Sequence, residues 1–389
     1  MGEHQVVVVG AGPSGVASAL ALKDIGLRPL VVDQADTVAS SWRGRYDRLR
    51  LNTCRPLSHL PDRRFPKGTP MFPSRDEVVA HVERHAREGG IELQLGTHID
   101  RIDREAHGWV LATSTGEIRT PAVIVATGFE HAPFIPDWSG RDSFEGQLLH
   151  ARDYRSPEPF EGRSVLVVGP GCSGMEIAYD LAEGGAAKVW LSARTPPNIT
   201  LREGPGGLPG DVIGVVMLHL PVRVADAFER FGRRMDLGDL TEYGLPTPEE
   251  GVMARLKRLG VAPSIVDKEV IEAIKARRIE VVRGVESLDG SEVQLADGAR
   301  LEPDVVICAT GYRRGLEPLV GHLDVLDERG WPRTTGPAPA APGLRFIGYV
   351  PRPGALGYMG KEAKRAAKAI ARELRSAPAM PSREAVPAA

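Results

Sequence analysis

The strongest constraint on this chain is an internal repeat. Val6-Val7-Val8-Val9 leads into Gly10-Ala11-Gly12-Pro13-Ser14-Gly15 and an apolar helix of about 16–25, which Gly26 ends. The pattern recurs as Val165-Leu166-Val167-Val168, then Gly169-Pro170-Gly171-Cys172-Ser173-Gly174 and a helix to about Ala182. A continuous β-branched run is what a parallel sheet buries on both faces. A glycine-rich loop between such a strand and a helix is the signature of a dinucleotide-binding unit. Both copies go on to a further strand, Leu30-Val31-Val32 before Asp33 and Val189-Trp190-Leu191 before Ser192. The fold class read from this is α/β, with two Rossmann-like dinucleotide-binding domains.

Two further strands, Val123-Ile124-Val125 and Val305-Val306-Ile307-Cys308, each run into Ala-Thr-Gly. The second is read as the chain returning to the first unit, which makes that unit discontinuous with the other inserted. The boundaries expected are 1–155 for the first part of the first domain, 156–303 for the inserted domain and 304–376 for the return. Residues 377–389 read as a disordered Ala/Pro-rich tail. Helices are predicted over 75–88 and 361–374, and Glu92 to Ile99 with Trp109 to Ile118 reads as an antiparallel meander.

Composition narrows the class. The 389 residues suffice for two or three cores without staples, and 49 basic against 51 acidic residues leave a net charge of −2. A near-neutral chain is not a default nucleic-acid binder. Glycine, at 44, and proline, at 32, exceed ordinary usage without a repeat period, so they serve turns and close backbone approaches. Cys54, Cys172 and Cys308 are far apart and form no C-x-x-C, which argues against disulfide frameworks, zinc sites and dithiol redox chemistry. His59, His81, His85 and His98 share no metal-ligand spacing, and no metal is expected. Strand character from Gln5 leaves no room for a signal peptide, and no apolar run reaches the ~18 residues of a membrane span. The reading is a soluble cytoplasmic protein without membrane contact.

In the first loop, Gly10 permits the tight turn, Gly12 lets backbone approach a pyrophosphate, and Gly15 lets helix pack on strand. The helix N-terminus faces the phosphates, and Asp33 is placed to accept from ribose hydroxyls. The second loop has no carboxylate at the matching position. Ser192-Ala193-Arg194-Thr195 offers a guanidinium and a hydroxyl to a ribose 2′-phosphate, so this site reads as NADP and the first as an unphosphorylated adenosine ribose.

Between the units lies Phe144-Glu145-Gly146-Gln147-Leu148-Leu149-His150-Ala151-Arg152-Asp153-Tyr154, which matches F-x-G-x-x-x-H-x-x-x-Y, the fingerprint of flavin-containing monooxygenases. The segment reads as a structured joint between domains, with His150 not a catalytic base. Ser41-Trp42-Arg43, Tyr46 to Leu51, Phe72 to Arg75, Leu220 to Asp226, Ala309 to Tyr312 and Gly354 to Gly357 extend the match. The chain resembles the YUCCA-type branch of that family from about Gln5 to Arg375. The resemblance implies FAD at the first loop, NADPH at the second and O2 as co-substrate. It also implies a C4a-hydroperoxyflavin, protected by retained NADP⁺ and a dry pocket, that oxygenates a small organic substrate.

The candidate cofactor contacts are Gly10, Gly12, Pro13, Ser14, Gly15, Asp33, Gln34, Trp42, Thr127 and Gly128 from the first stretch. Gly169, Gly171, Ser173, Gly174, Ser192 and Arg194 come from the second, and Thr310, Gly311 and Leu356 from the return. Two departures from the family pattern stand out: Cys172 occupies a position where Asn is usual, and Leu51-Asn52-Thr53-Cys54 is unlike the auxin-forming branch. Asn52 is the candidate catalytic contact to flavin or oxygen, or else it caps a turn. Trp42 stacks on flavin or packs. The run 212–235, apolar and then basic, reads as a lid or core-facing helix. Asn52 favours oxygenation at amine N or sulfide S, which is the leading expectation, and overall similarity favours the alternative, oxidative decarboxylation of an indole-3-pyruvate-like 2-oxo acid. Baeyer–Villiger chemistry is disfavoured by Tyr154, where Trp would be usual. Readings of other classes are an FAD-dependent NADPH reductase serving a partner and a flavoprotein sensor without turnover.

Overall fold

Two parallel sheets, each built on one copy of the repeat, organise the protein. The computed structural model describes residues 4–350 and 352–376. The tail expected over 377–389 lies outside the described residues. In the first unit, β1 (Val6–Val9) turns through the glycine loop into α1 (Pro13–Lys23), and β2 (Pro29–Val32) returns beside β1. Pro13 occupies the first turn of α1, where its missing N–H costs nothing. α2 (Arg75–Glu88) starts on a capping box: Ser74 accepts from the Glu77 N–H, and the Glu77 carboxylate accepts from the Ser74 N–H. It leads to β3 (Glu92–Gln94), and β4 (Val123–Val125) follows later.

The second unit opens with β5 (Gln147–His150), β6 (Ser164–Val168), α3 (Cys172–Glu183) and β7 (Lys188–Ser192). After β7 come α4 (Gly210–Met217), α5 (Val222–Leu237), α6 (Lys268–Lys275), β8 (Glu280–Val282) and β9 (Val305–Cys308). The chain then returns as β10 (Leu344–Phe346) and α7 (Ala355–Ser376).

The first sheet has the order β10-β4-β1-β2-β3, and the second β8-β7-β6-β9-β5, with every pairing parallel. Alternation along β1 makes a layered core. Val6 and Val8 pack with Leu20 of α1, Val82 of α2 and Ile370 of α7. Val7 and Val9 face the other way, onto Ile102, Trp109 and Leu111 of a three-stranded antiparallel sheet. The second unit repeats the plan. Val165 and Val167 meet Ile177 of α3 and Ile274 of α6, while Leu166 and Val168 meet Leu288, Val293 and Leu295 of another antiparallel sheet.

Three sequence expectations change here. Val305–Cys308 was expected to begin the return from residue 304, but it pairs with β6 and belongs to the second unit. Gln147–His150, expected within 1–155 of the first, pairs with β9. The return is made by β10, which pairs with β4. The reason is local: each unit needs its own Ala-Thr-Gly strand beside its own glycine loop. The third change is that Glu92–Gln94 joins the parallel sheet, so the meander runs over Ile99–Glu105, Gly108–Thr113 and Gly116–Thr120. Between the units, Ala132–Pro133 and Tyr312–Arg313 pair antiparallel, so the outgoing and returning connections form one ribbon.

Candidate functional site

Each glycine loop is shaped by its neighbours. Gly10 has φ +108°, and a Cβ there would lie 2.7 Å from the Ala126 carbonyl oxygen. A Cβ on Gly15 would lie 1.7 Å from the Gly10 oxygen, so α1 reaches β1 only without one. At Gly12 a Cβ would meet nothing within 4 Å. The second loop has the same design. Gly169 (φ +112°) abuts the Ala309 oxygen at 2.5 Å, Gly174 abuts the Gly169 oxygen at 1.9 Å, and Gly171 opens onto free space. Two glycines per loop thus serve packing, and the middle one leaves the backbone N–H groups at the helix N-terminus open to a phosphate. These are cradles that fit a dinucleotide pyrophosphate, and the two Ala-Thr-Gly segments form their walls.

The neighbouring side chains divide into those engaged inward and those that remain free. One Asp33 carboxylate oxygen accepts from Ala11 N at 2.5 Å and the other from Ala35 N at 2.8 Å. That fixes the carboxylate beside the first loop with a lone pair left on each oxygen. Gln34 Oε1 accepts from His98 Nδ1 at 3.1 Å. The Ser14 hydroxyl points to Met359 Sδ at 2.7 Å, so only its backbone N–H is available to a phosphate. Thr127 Oγ1 lies 2.8 Å from the buried Tyr349 hydroxyl, beside Gly128. Thr310 donates to the Phe134 carbonyl. Trp42 and Leu356 are half-buried against the first core.

At the second loop the sequence reading is corrected. Ser192 is buried and its hydroxyl donates to the Arg283 carbonyl at 2.8 Å, so it cannot serve a ribose phosphate. Arg194 is exposed and packs on Gly284, whose Cβ would lie 3.1 Å from Arg194 Cβ. Arg283, which the sequence reading missed, is exposed just past β8, the neighbour of β7. Neither arginine side chain has a hydrogen bond or ion pair among the described residues. Only the β7–β8 pairing reveals Arg283, because no motif joins positions so far apart. Cys172 is also engaged: its Sγ accepts from Ile265 N at 3.2 Å, and burial pushes the thiol up to about 11.

The F-x-G-x-x-x-H-x-x-x-Y segment is a clasp. A Cβ on Gly146 would strike the Phe144 ring at 2.5 Å. His150, 2% exposed, donates from Nε2 to the Gly311 carbonyl at 3.0 Å and accepts the Arg152 N–H on Nδ1 at 3.0 Å. Both nitrogens are thus occupied, and burial, the main cause, lowers the imidazole's pKa. Tyr154, fully buried, donates to Asp180 Oδ2 at 2.8 Å. The segment ties the returning connection to the second sheet.

A buried polar cluster bridges the two units. Tyr46 donates to Glu176 Oε2 at 2.6 Å; Arg202 pairs through Nη2 with Glu176 and through Nη1 with Asp267 at 2.6 Å. The same Nη2 donates to Asn52 Oδ1 at 3.1 Å. Arg202 and Glu176 are 2% and 4% exposed. Burial above all pushes the Glu176 carboxyl up, against the pull of Arg202 and the Tyr46 hydroxyl. Breaking such a buried pair costs about 3–5 kcal/mol, because an uncompensated charge remains. Asp267 sits at the N-cap of α6 without capping it, since Arg202 takes its carboxylate.

The comparisons with known proteins agree with this geometry. A family model described as pyridine nucleotide-disulphide oxidoreductase matches residues 7–200. An indole-3-pyruvate monooxygenase, YUCCA8 of Oryza sativa subsp. indica, is 34% identical over 383 residues, covering 94% of this chain and 90% of that protein. The chain belongs to the YUCCA-type flavin monooxygenase family. It is an FAD- and NADPH-dependent monooxygenase. A flavin-containing monooxygenase from Stenotrophomonas maltophilia shares the fold at TM-score 0.73 and 21% identity, covering 96% of this chain and all of that one. The complex of OTEMO with FAD and NADP does so at TM-score 0.71 and 17% identity, covering 96% and 85%.

All three cysteines are free, and burial raises the Cys54, Cys172 and Cys308 thiols to about 11, 11 and 12. The 212–235 segment is two helices rather than one. Asp211 in the first turn of α4 accepts from Cys54 N of the first unit at 3.0 Å. The outer face of α5 exposes Val224, Phe228, Phe231 and Met235, so that half is not core-facing. No described helix is long and apolar enough to cross a membrane.

Proposed function

We propose that the first loop holds FAD and the second NADPH, and that O2 supplies an oxygen atom to a small organic substrate. The observation that carries this reading is the pair of open cradles at Gly12 and Gly171, one beside a fixed carboxylate and the other beside free arginines. FAD, when bound, supplies the redox and oxygen chemistry, and the protein supplies position and shielding. Asp33 holds the adenosine ribose of FAD, whose hydroxyls it would lose if phosphorylated. Arg194 and Arg283 take the 2′-phosphate of NADPH, since two uncompensated guanidinium groups suit a dianion. Gly12, Ser14 and Gly15 offer backbone N–H groups to the first pyrophosphate, with Gly10 and Pro13 shaping the turn, and Gly171, Ser173 and Gly174 offer theirs to the second, with Gly169 shaping the turn. Asn52 reaches the flavin from the joint, where its Nδ2 makes no hydrogen bond among the described residues.

The leading substrate class is an indole-3-pyruvate-like 2-oxo acid, supported by the activity in the name of the 34% identical relative. The reaction is then 2-oxo acid, O2, NADPH and H⁺ giving the acid one carbon shorter, CO2, water and NADP⁺. The second reading, oxygenation at amine N or sulfide S, rests on Asn52. A panel of 2-oxo acids, amines, sulfides and ketones is incubated with holoenzyme and NADPH under ¹⁸O2, and product masses are read. CO2 release with one ¹⁸O in the shortened acid supports the first reading. Labelled N- or S-oxide supports the second. NADPH oxidation that yields only peroxide with every substrate, or reduction of a protein partner instead, refutes both.

A further inference from the structure

We infer that Arg202 is a positioning residue for Asn52, acting across the joint between the two nucleotide units; this rests on the flavin-contact reading of Asn52 above. An asparagine amide has an acceptor end and a donor end, and nothing intrinsic fixes which faces a ligand. Here Arg202 fixes it. Its guanidinium can only donate, so it selects Asn52 Oδ1, at 3.1 Å, and the Nδ2 donors are turned to the other side. Arg202 is itself immobile. Glu176 and Asp267 hold its two arms, and Tyr46 of the first unit holds the second oxygen of Glu176.

The arrangement has a consequence for how the units cooperate. Asn52 and Tyr46 belong to the first unit; Glu176 on α3, Arg202 and Asp267 belong to the second. Glu176 lies two residues past the Gly169–Gly174 loop, one turn into the helix whose N-terminus faces the second cradle. Any shift of α3 when the second nucleotide binds is therefore transmitted through Glu176 and Arg202 to the orientation of the Asn52 amide. Planar bidentate geometry suits the guanidinium to this task, because Lys could meet the carboxylates but has no second arm for Asn52.

The test compares wild-type holoenzyme with Asn52→Ala, Arg202→Lys and the double variant. Arg202→Lys is chosen because it retains a cation between Glu176 and Asp267, whereas Arg202→Met strands both carboxylates and serves as the folding control. The readouts are the midpoint potential and visible spectrum of bound FAD, and NADP⁺ affinity from the flavin difference spectrum. Asn52→Ala and Arg202→Lys are expected to shift the potential and spectrum in the same direction, and the double variant no further than Asn52→Ala alone. Each single variant weakens NADP⁺ binding by about tenfold, the scale of one hydrogen bond to a charged group. Asn52→Asp, which keeps the acceptor for Arg202 but loses the donors, matches Asn52→Ala in spectrum with a wild-type melting temperature. Additive shifts, or an Arg202→Lys protein that melts lower with an unmoved flavin potential, would overturn the positioning role while FAD binding stands. Wild-type protein that takes up no FAD overturns the parent reading and this one with it.

Discussion

Replacing Gly12 with alanine separates cofactor binding from folding. Gly12 has φ −76° and ψ −176°, a region alanine adopts freely, and its Cβ would touch nothing within 4 Å. Alanine is a poorer N-cap than glycine by up to about 1 kcal/mol, while restricting the unfolded chain returns about 0.4–1 kcal/mol. The two nearly cancel, so the apoprotein should melt within about 3 °C of wild type. The added methyl instead occupies the space through which a pyrophosphate reaches the backbone N–H groups. Losing one or two charge-assisted hydrogen bonds, at about 1.5–3 kcal/mol each, weakens FAD binding about tenfold to several hundredfold. Gly15→Ala is the contrast: its Cβ lies 1.7 Å from a backbone oxygen that no rotamer change can move, and destabilisation of about 3 kcal/mol or more follows. The assay is thermal melting of apoprotein together with FAD titration by fluorescence quenching. Gly171→Ala, read by NADP⁺ titration of holoenzyme, should lose NADP⁺ and retain FAD. A Gly12→Ala protein with wild-type FAD affinity, or one melting as low as Gly15→Ala, would refute the reasoning.

Three further outcomes follow from the same geometry. Arg194→Ala and Arg283→Ala should each raise the KM for NADPH about tenfold or more and leave the KM for NADH nearly unchanged, while Ser192→Ala changes neither; equal losses with both nucleotides would sink the 2′-phosphate assignment. Tyr154→Phe removes the donor to Asp180 and should cost about 1–3 kcal/mol in denaturant unfolding with the flavin spectrum unchanged; a spectral change without destabilisation would contradict a purely structural clasp. Burial lowers His81 from 6.5 to about 3, so the folded protein refuses a proton that the unfolded chain accepts. Its contribution is complete above pH 6.5 and declines as pH falls toward 3, by about 1.4 kcal/mol per pH unit. His81→Gln should flatten the acid limb of stability against pH, and a parallel limb would rule the group out.

The two glycine-loop units and the strands and helices adjoining them are legible in the amino-acid order because they are local: strand, turn and helix lie within thirty residues, and Gly15 and Gly174 are each required by a glycine of the same loop. The Ser74 capping box likewise follows from residues close in sequence. Tertiary structure alone decided which sheet each distant strand joins. Val305–Cys308 and Val123–Val125 look alike in sequence because they do the same work, yet they serve different units; nothing in an apolar run of four residues encodes its partner. It alone showed that the Ser192 hydroxyl is used internally, that Arg283 stands just past the strand that pairs with the one leading to Arg194, and that Arg202 joins Asn52 to Glu176 and Asp267. These are long-range encounters between polar groups. Whether a polar side chain is free for a ligand depends on which other polar group burial has forced it to meet.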